Sequence, residues 1–139
     1  MTIQEFLEVG RVRSKMMVYQ RRKAAAVDLC RQVLETHRSP YAALSGGKDS
    51  VAMCCILDAA ARADGRRFRI WSHVSDASFP GTEETCRELA TRLNRPLDID
   101  MSPVSAFDAL NGDQRQAFGK RGVFFDAVRR YAEDKDLCF

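Results

Sequence analysis

The sequence predicts an α/β domain built on a mainly parallel sheet, with a helical extension at its amino end. Three observations carry this. Short apolar runs at 41–44, 68–74 and 97–101 alternate with longer stretches of helical periodicity, the order produced by repeated βα steps. A glycine-bearing loop, Ser45-Gly46-Gly47-Lys48-Asp49-Ser50, joins the first apolar run to a long apolar helix. Residues 1–38 carry helical spacing and a basic excess before any strand begins, so they read as a separate helical region ahead of an α/β domain at 39–139. At 139 residues and 45% hydrophobic, the chain holds one core and not two.

Taken in order, Thr2-Ile3-Gln4-Glu5 has the form of a capping box and should start a helix. Phe6, Val9, Val12 and Met16 keep helical spacing, as do Val27, Cys30, Val33 and Leu34 further on, with Gly10 the weakest link; one long helix and two shorter ones both fit. Pro40 disfavours helix in the residue before it and ends this region. Tyr41-Ala42-Ala43-Leu44 then reads as a short strand of the kind buried in a parallel sheet. The helix after the loop should run to Arg62 or Ala63 with Val51, Met53, Cys54, Ile56 and Leu57 deeply buried, and Asp64-Gly65 should close it.

Phe68 to Val74 reads as a second strand, Thr82 as the cap of a helix with Glu83 and Glu84 in its first turn, and Pro96 to Met101 as a third strand. Ser102-Pro103 and Asn111-Gly112 bracket a short helix. The closing helix sets Phe124, Val128 and Tyr131 against the sheet.

The chemistry concentrates in residues 45–50. Glycines without a Cβ accept positive φ, which turns successive N–H groups toward one point, and the first turn of the next helix adds unpaired donors and positive dipole. Such a hollow holds an anion. Ser45 and Ser50 add hydroxyls and Lys48 adds a charge. Asp49 would repel a phosphate unless it holds Mg²⁺, orients a lysine or caps the helix. The spacing is neither that of the Walker loop nor that of the dinucleotide-binding turn.

Ser-Gly-Gly-Lys-Asp-Ser after a strand resembles the PP-loop of the ATP pyrophosphatases, the adenine nucleotide alpha hydrolase-like superfamily. Within it the chain is most similar to the phosphoadenosine phosphosulfate (PAPS) reductase family. The resemblance implies a Rossmann-like, three-layer, doubly wound sheet and binding of ATP or a PAPS-like adenine nucleotide, with Mg²⁺. Active relatives cleave the α–β phosphate bond and release pyrophosphate. On this resemblance Lys48 and Asp49 are the catalytic candidates, Asp49 the metal ligand, and Ser45, Gly46, Gly47 and Ser50 complete the phosphate site. Relatives frame the nucleotide with Asp-Thr-Gly after the second strand; here the stretch is Asp76-Ala77-Ser78, so only Asp76 carries over. Gly119 and Gly122 bracket Lys120-Arg121, similar to a basic stretch in PAPS reductase-like proteins, and this pair suits a clamp on phosphate or sulfate oxygens. A further phosphate-facing segment and the reductases' reactive cysteine are not seen before Phe139, which predicts a domain incomplete at its carboxyl end, joined by a completing partner chain or a homo-oligomer.

The remaining features exclude more than they assign. The longest apolar run, Val51 to Leu57, is far below the ~20 residues that span a bilayer, and no basic start with an apolar stretch marks a secretory signal; a cytoplasmic protein is expected. Five cysteines without ligand spacing read as reduced, structural thiols, so reductase activity by this chain alone is not expected. Trp71 reads as core, and His73, without a visible carboxylate partner, as structural. Asp98 and Asp100 read as a solvated strand face rather than a metal site. Residues 1–40 hold eight Lys/Arg against four Asp/Glu, a net +4 within a whole-chain +3. That basic leader allows a nucleic-acid partner and, with it, an RNA-modifying adenylyltransferase; a solvated helix face accounts for it equally. A non-catalytic nucleotide-binding or oligomerisation module is the other reading.

Overall fold

The computed structural model describes residues 2–37, 40–76, 78–101 and 127–132. Their elements run α1 (Ile3–Ser14), α2 (Met17–Thr36), β1 (Tyr41–Ala43), α3 (Lys48–Ala63), β2 (Arg69–Val74), α4 (Thr82–Leu93) and β3 (Leu97–Met101), and residues 127–132 are helical. The fold is mixed α/β around a parallel sheet of order β1-β2-β3 among the described residues. Tyr41 pairs with Arg69, Ile70 with Leu97 and His73 with Asp100.

Local chemistry explains the boundaries. The capping box forms as the sequence implies: Glu5 N–H donates to Thr2 Oγ1 at 3.2 Å, and Thr2 N–H donates to Glu5 Oε2 at 2.6 Å. The amino-terminal region is two helices, because Met16 leaves the helical range with ψ at 139°. At the end of α3, Gly65 takes φ +64° and Arg66 N–H reaches back to Ala61 C=O at 2.8 Å; at the end of α4, Asn94 takes φ +53° and Arg95 N–H reaches Ala90 C=O at 3.0 Å. Both are the same left-handed stop, which a glycine or asparagine tolerates best. Gly81, not Thr82, occupies the cap position of α4, with φ +82°.

Strand periodicity divides the sheet into two faces. On one side Ala42, Leu44 and Ile70 join Cys54, Leu57, Ala60, Ala61, Cys86, Ala90 and Leu34 in the main core, so α2, α3 and α4 cover that face. Consecutive strands in sequential order leave both crossover helices on that same side. Met53, expected inside, is exposed, because it lies on the outer side of α3 from Cys54 and Leu57. The other face carries Tyr41, Arg69, Trp71, His73, Asp98 and Asp100, and Tyr131 of the helical residues 127–132 packs on it as expected, 5.6 Å from the Trp71 ring and 5.3 Å from that of Tyr41. Phe124 lies outside the described residues.

One charged group is sunk into the main core. Asp58 is buried and takes Arg62 Nε at 2.7 Å and Arg95 Nε at 2.8 Å, while Arg62 also donates to Leu93 C=O. The Arg95 guanidinium lies 4.7 Å over the Phe68 ring. This cluster ties the carboxyl ends of α3 and α4 together.

Candidate phosphate-binding loop

Between β1 and α3 the chain makes the turn that two glycines allow. Gly46 has φ +75°, a conformation other residues avoid, whereas Gly47 has φ −75° and ψ 155° and serves as the cap residue of α3. The first backbone bond of the helix is Val51 N–H to Gly47 C=O at 3.0 Å. Among the described residues, the N–H groups of Lys48, Asp49 and Ser50 have no acceptor within the protein, so the first turn presents them outward together with the positive end of the helix dipole.

The serines shape this loop. Ser50 Oγ accepts from Ser45 N–H at 3.2 Å and donates to Gly47 C=O at 2.9 Å, with Ser45 Oγ 3.1 Å away. With its proton turned to Gly47, the Ser50 hydroxyl braces the turn, and the outward donors of the loop are its backbone amides. Lys48 Nζ and Asp49 Oδ1 lie 2.6 Å apart, and both side chains are about nine-tenths exposed. Of the three uses open to Asp49, this geometry matches orientation of the lysine; the cap belongs to Gly47.

Parallel pairing of β1 with β2 brings the following loops to the same edge of the sheet. A Cβ built on Gly46 would lie 3.5 Å from Thr82 Cγ2, 3.6 Å from Thr82 C=O and 3.8 Å from Cys86 Sγ, so the loop rests on the start of α4. Asp76 stands in the turn after β2 at that edge and is exposed. Lys120 and Arg121 lie outside the described residues. Residues 45–50 are therefore brought together, and Asp76 shares their edge.

An open hollow of about 610 Å³ lies elsewhere, lined by Tyr41, Arg69, Leu97, Asp98, Ile99 and Tyr131. Tyr41, Arg69 and Leu97 begin their strands, so it sits at the amino edge, opposite the glycine loop. Its one carboxylate is committed: Asp98 takes Arg69 Nη2 at 2.7 Å, Arg69 Nε at 3.2 Å, Tyr41 OH at 3.1 Å, and Tyr131 OH. Desolvation pushes the Asp98 carboxyl up, but the hydrogen bonds from Arg69, Tyr131 and Tyr41 outweigh it and hold it below the usual carboxylate range. The Tyr131 hydroxyl is pushed up, by burial first and then by its bond to Asp98.

Two expectations change here. Asp98 and Asp100 do not line a solvated face, because partners across the sheet absorb both. His73 does have a carboxylate partner, Asp100, at 3.2 Å from Nδ1. The signal available in the sequence was the matching two-residue alternation, Arg69 and His73 on one strand against Asp98 and Asp100 on another, which becomes a contact only once the register is known.

Cys54 and Cys86 are buried and Cys30 is half-buried, as structural thiols would be, whereas Cys55 is exposed and Cys138 lies outside the described residues. Burial, then Cys55 and Cys86, push the Cys54 thiol up to about 12, and burial raises Cys30. Among the described residues no group of three His, Cys, Asp or Glu side chains could hold a metal ion, and no helix is long and apolar enough to cross a membrane. In comparisons with known proteins, no family model and no curated protein matches this chain.

Proposed function

We propose that this chain is a PP-loop domain, similar to the PAPS reductase family, which grips the phosphates of ATP or a related adenine nucleotide on a sheet whose full form is a doubly wound, three-layer sandwich. The observation that carries the reading is the left-handed Gly46 ahead of α3, whose three leading N–H groups have no acceptor among the described residues while Lys48 stands beside them. A polyanion satisfies those donors, complements the helix dipole and meets the lysine charge in one place. Asp49 would then hold Lys48 in position until phosphate arrives. Mg²⁺, when bound, would supply charge neutralisation. Asp49 is the loop carboxylate that would help hold it, a single ligand being common for an ion that keeps most of its waters. In catalysis the amides and Lys48 stabilise negative charge gathering on departing pyrophosphate, which is a matter of electrostatics and needs no protein nucleophile.

A second reading, nucleotide binding without turnover, draws on a specific observation: Lys48 and Asp49 are both solvent-exposed and engaged with each other. One experiment separates the two. Titration calorimetry with ATP, ADP, PAPS and pyrophosphate in Mg²⁺ tests binding, and chromatography of the same mixtures tests for AMP and pyrophosphate. Binding with AMP release that Asp49→Ala abolishes supports the enzyme; binding alone supports the module. Absence of binding by all four ligands overturns both.

A further inference from the structure

We infer that the amino-terminal arm is a grip for the phosphate backbone of double-stranded nucleic acid. Between Glu8 and Asp28 the chain contains no acidic residue, yet it holds Arg11, Arg13, Lys15, Arg21, Arg22 and Lys23, all exposed. Of these six, Arg11 alone has a carboxylate partner among the described residues, Glu8 at 3.3 Å. Described cations of α3 and α4 are treated differently. On α4, Arg87 pairs with Glu83 and Arg92 with Glu88, each one turn back, and on α3 Arg62 pairs with Asp58. A merely solvated face would be expected to follow the same habit.

Burial does little to hold the arm. α1 buries no residue, and α2 begins at Met16 without a side-chain cap or an acid in its first turn. Arg21, Arg22 and Lys23 follow just past that turn, and no acidic residue lies within four positions of any of them on α2. Among the described residues no carboxylate pairs with Arg21, Arg22 or Lys23.

Geometry selects the kind of polyanion. Arg21, Arg22 and Lys23 are consecutive on α2, so at 3.6 residues per turn their side chains fan through about 200° around the helix. A bilayer surface would be met by cations flanking one apolar stripe. Cations spread around a helix instead meet phosphates on both walls of a groove, and the B-form major groove, about 12 Å wide, admits an α-helix. The deep, narrow major groove of A-form RNA does not. Tyr19 is the one aromatic among the six cations, too few for a single-strand stacking platform. The amino half of α2, ten residues from Met17 to Ala26, reaches about 15 Å ahead of Val27, where contact with the main core begins. That length is enough to enter a groove.

The test uses the full chain and a fluorescein-labelled 20-base-pair DNA, read by anisotropy between 50 and 200 mM KCl. Five engaged cations give a log–log salt slope of about −4.5, a loss of about 500-fold in affinity over that range. The triple variant R21E/R22E/K23E should weaken binding by more than 100-fold at 50 mM KCl while keeping the wild-type circular dichroism spectrum. The variant R87E/R92E, which reverses charges on α4, should bind like wild type. The inference is overturned by absence of duplex binding at 50 mM KCl, by equal losses in the two variants, or by tighter binding to single-stranded RNA or to phosphatidylserine vesicles than to the duplex.

Discussion

Adjacent glycines in one loop should respond to alanine in different ways. Gly46 has φ +75°, where an L-residue pays about 1–2 kcal/mol in backbone strain. Reduced freedom of the unfolded chain returns about 0.4–1 kcal/mol. The new methyl group meets Thr82 at 3.5 Å, an ordinary contact, so no clash is added. Gly46→Ala should therefore destabilise by about 1 kcal/mol, or roughly 4 °C in Tm for a chain of this size. Gly47 has φ −75° and ψ 155°, open to any residue, and its Cβ would touch only Ser45 Oγ at 3.5 Å. There the unfolded-state gain is offset by the poorer capping of alanine, and the net change should be within about 0.5 kcal/mol of zero. Urea unfolding at 25 °C, followed by circular dichroism with a common slope, measures both. Equal destabilisation by the two variants would refute the assignment of the left-handed turn to Gly46 alone.

Other expectations follow from the interior. Asp58→Ala strands the largely buried Arg95 guanidinium without its carboxylate and should cost about 3–5 kcal/mol in the same urea assay. The Asp98 carboxyl sits lower in the folded chain than its ordinary 3.8, so its stabilisation is present above that value and is lost as pH falls through the folded value. Urea midpoints measured from pH 6 downward should fall in wild type and fall less in Asp98→Asn. Tyr131→Phe removes one hydrogen bond to that carboxylate and should lower stability by about 1.5–3 kcal/mol at pH 7. Cys54 and Cys86, both fully buried, should escape alkylation in the native protein and label only in denaturant, read by peptide mass mapping, whereas exposed Cys55 labels in both.

What could be read in advance was whatever depends on near neighbours in the chain. The Thr2–Glu5 box, the glycine turn before α3, the left-handed stop at Gly65 and the apolar runs of β1 and β2 each need only a few consecutive residues to be recognised. The pairings of Asp98 with Arg69 and of Asp100 with His73 span more than twenty residues and depend on strand register, so they stayed hidden. The break between α1 and α2 was undecided for a different reason: Lys15 and Met16 carry no breaker, and the bend at Met16 follows no local signal. The glycine loop is visible as a string of residue types, but the turning of the Ser50 hydroxyl into it depends on the fold of the turn.

The Arg62–Asp58–Arg95 cluster fastens α3 to α4 at their carboxyl ends, and at the other end Thr82 of α4 bounds the space beside Gly46. Swinging α3 away from α4 would break that ionic cluster, so a change in the shape of the glycine turn either carries α4 along with α3 or stays within the six residues of the turn itself.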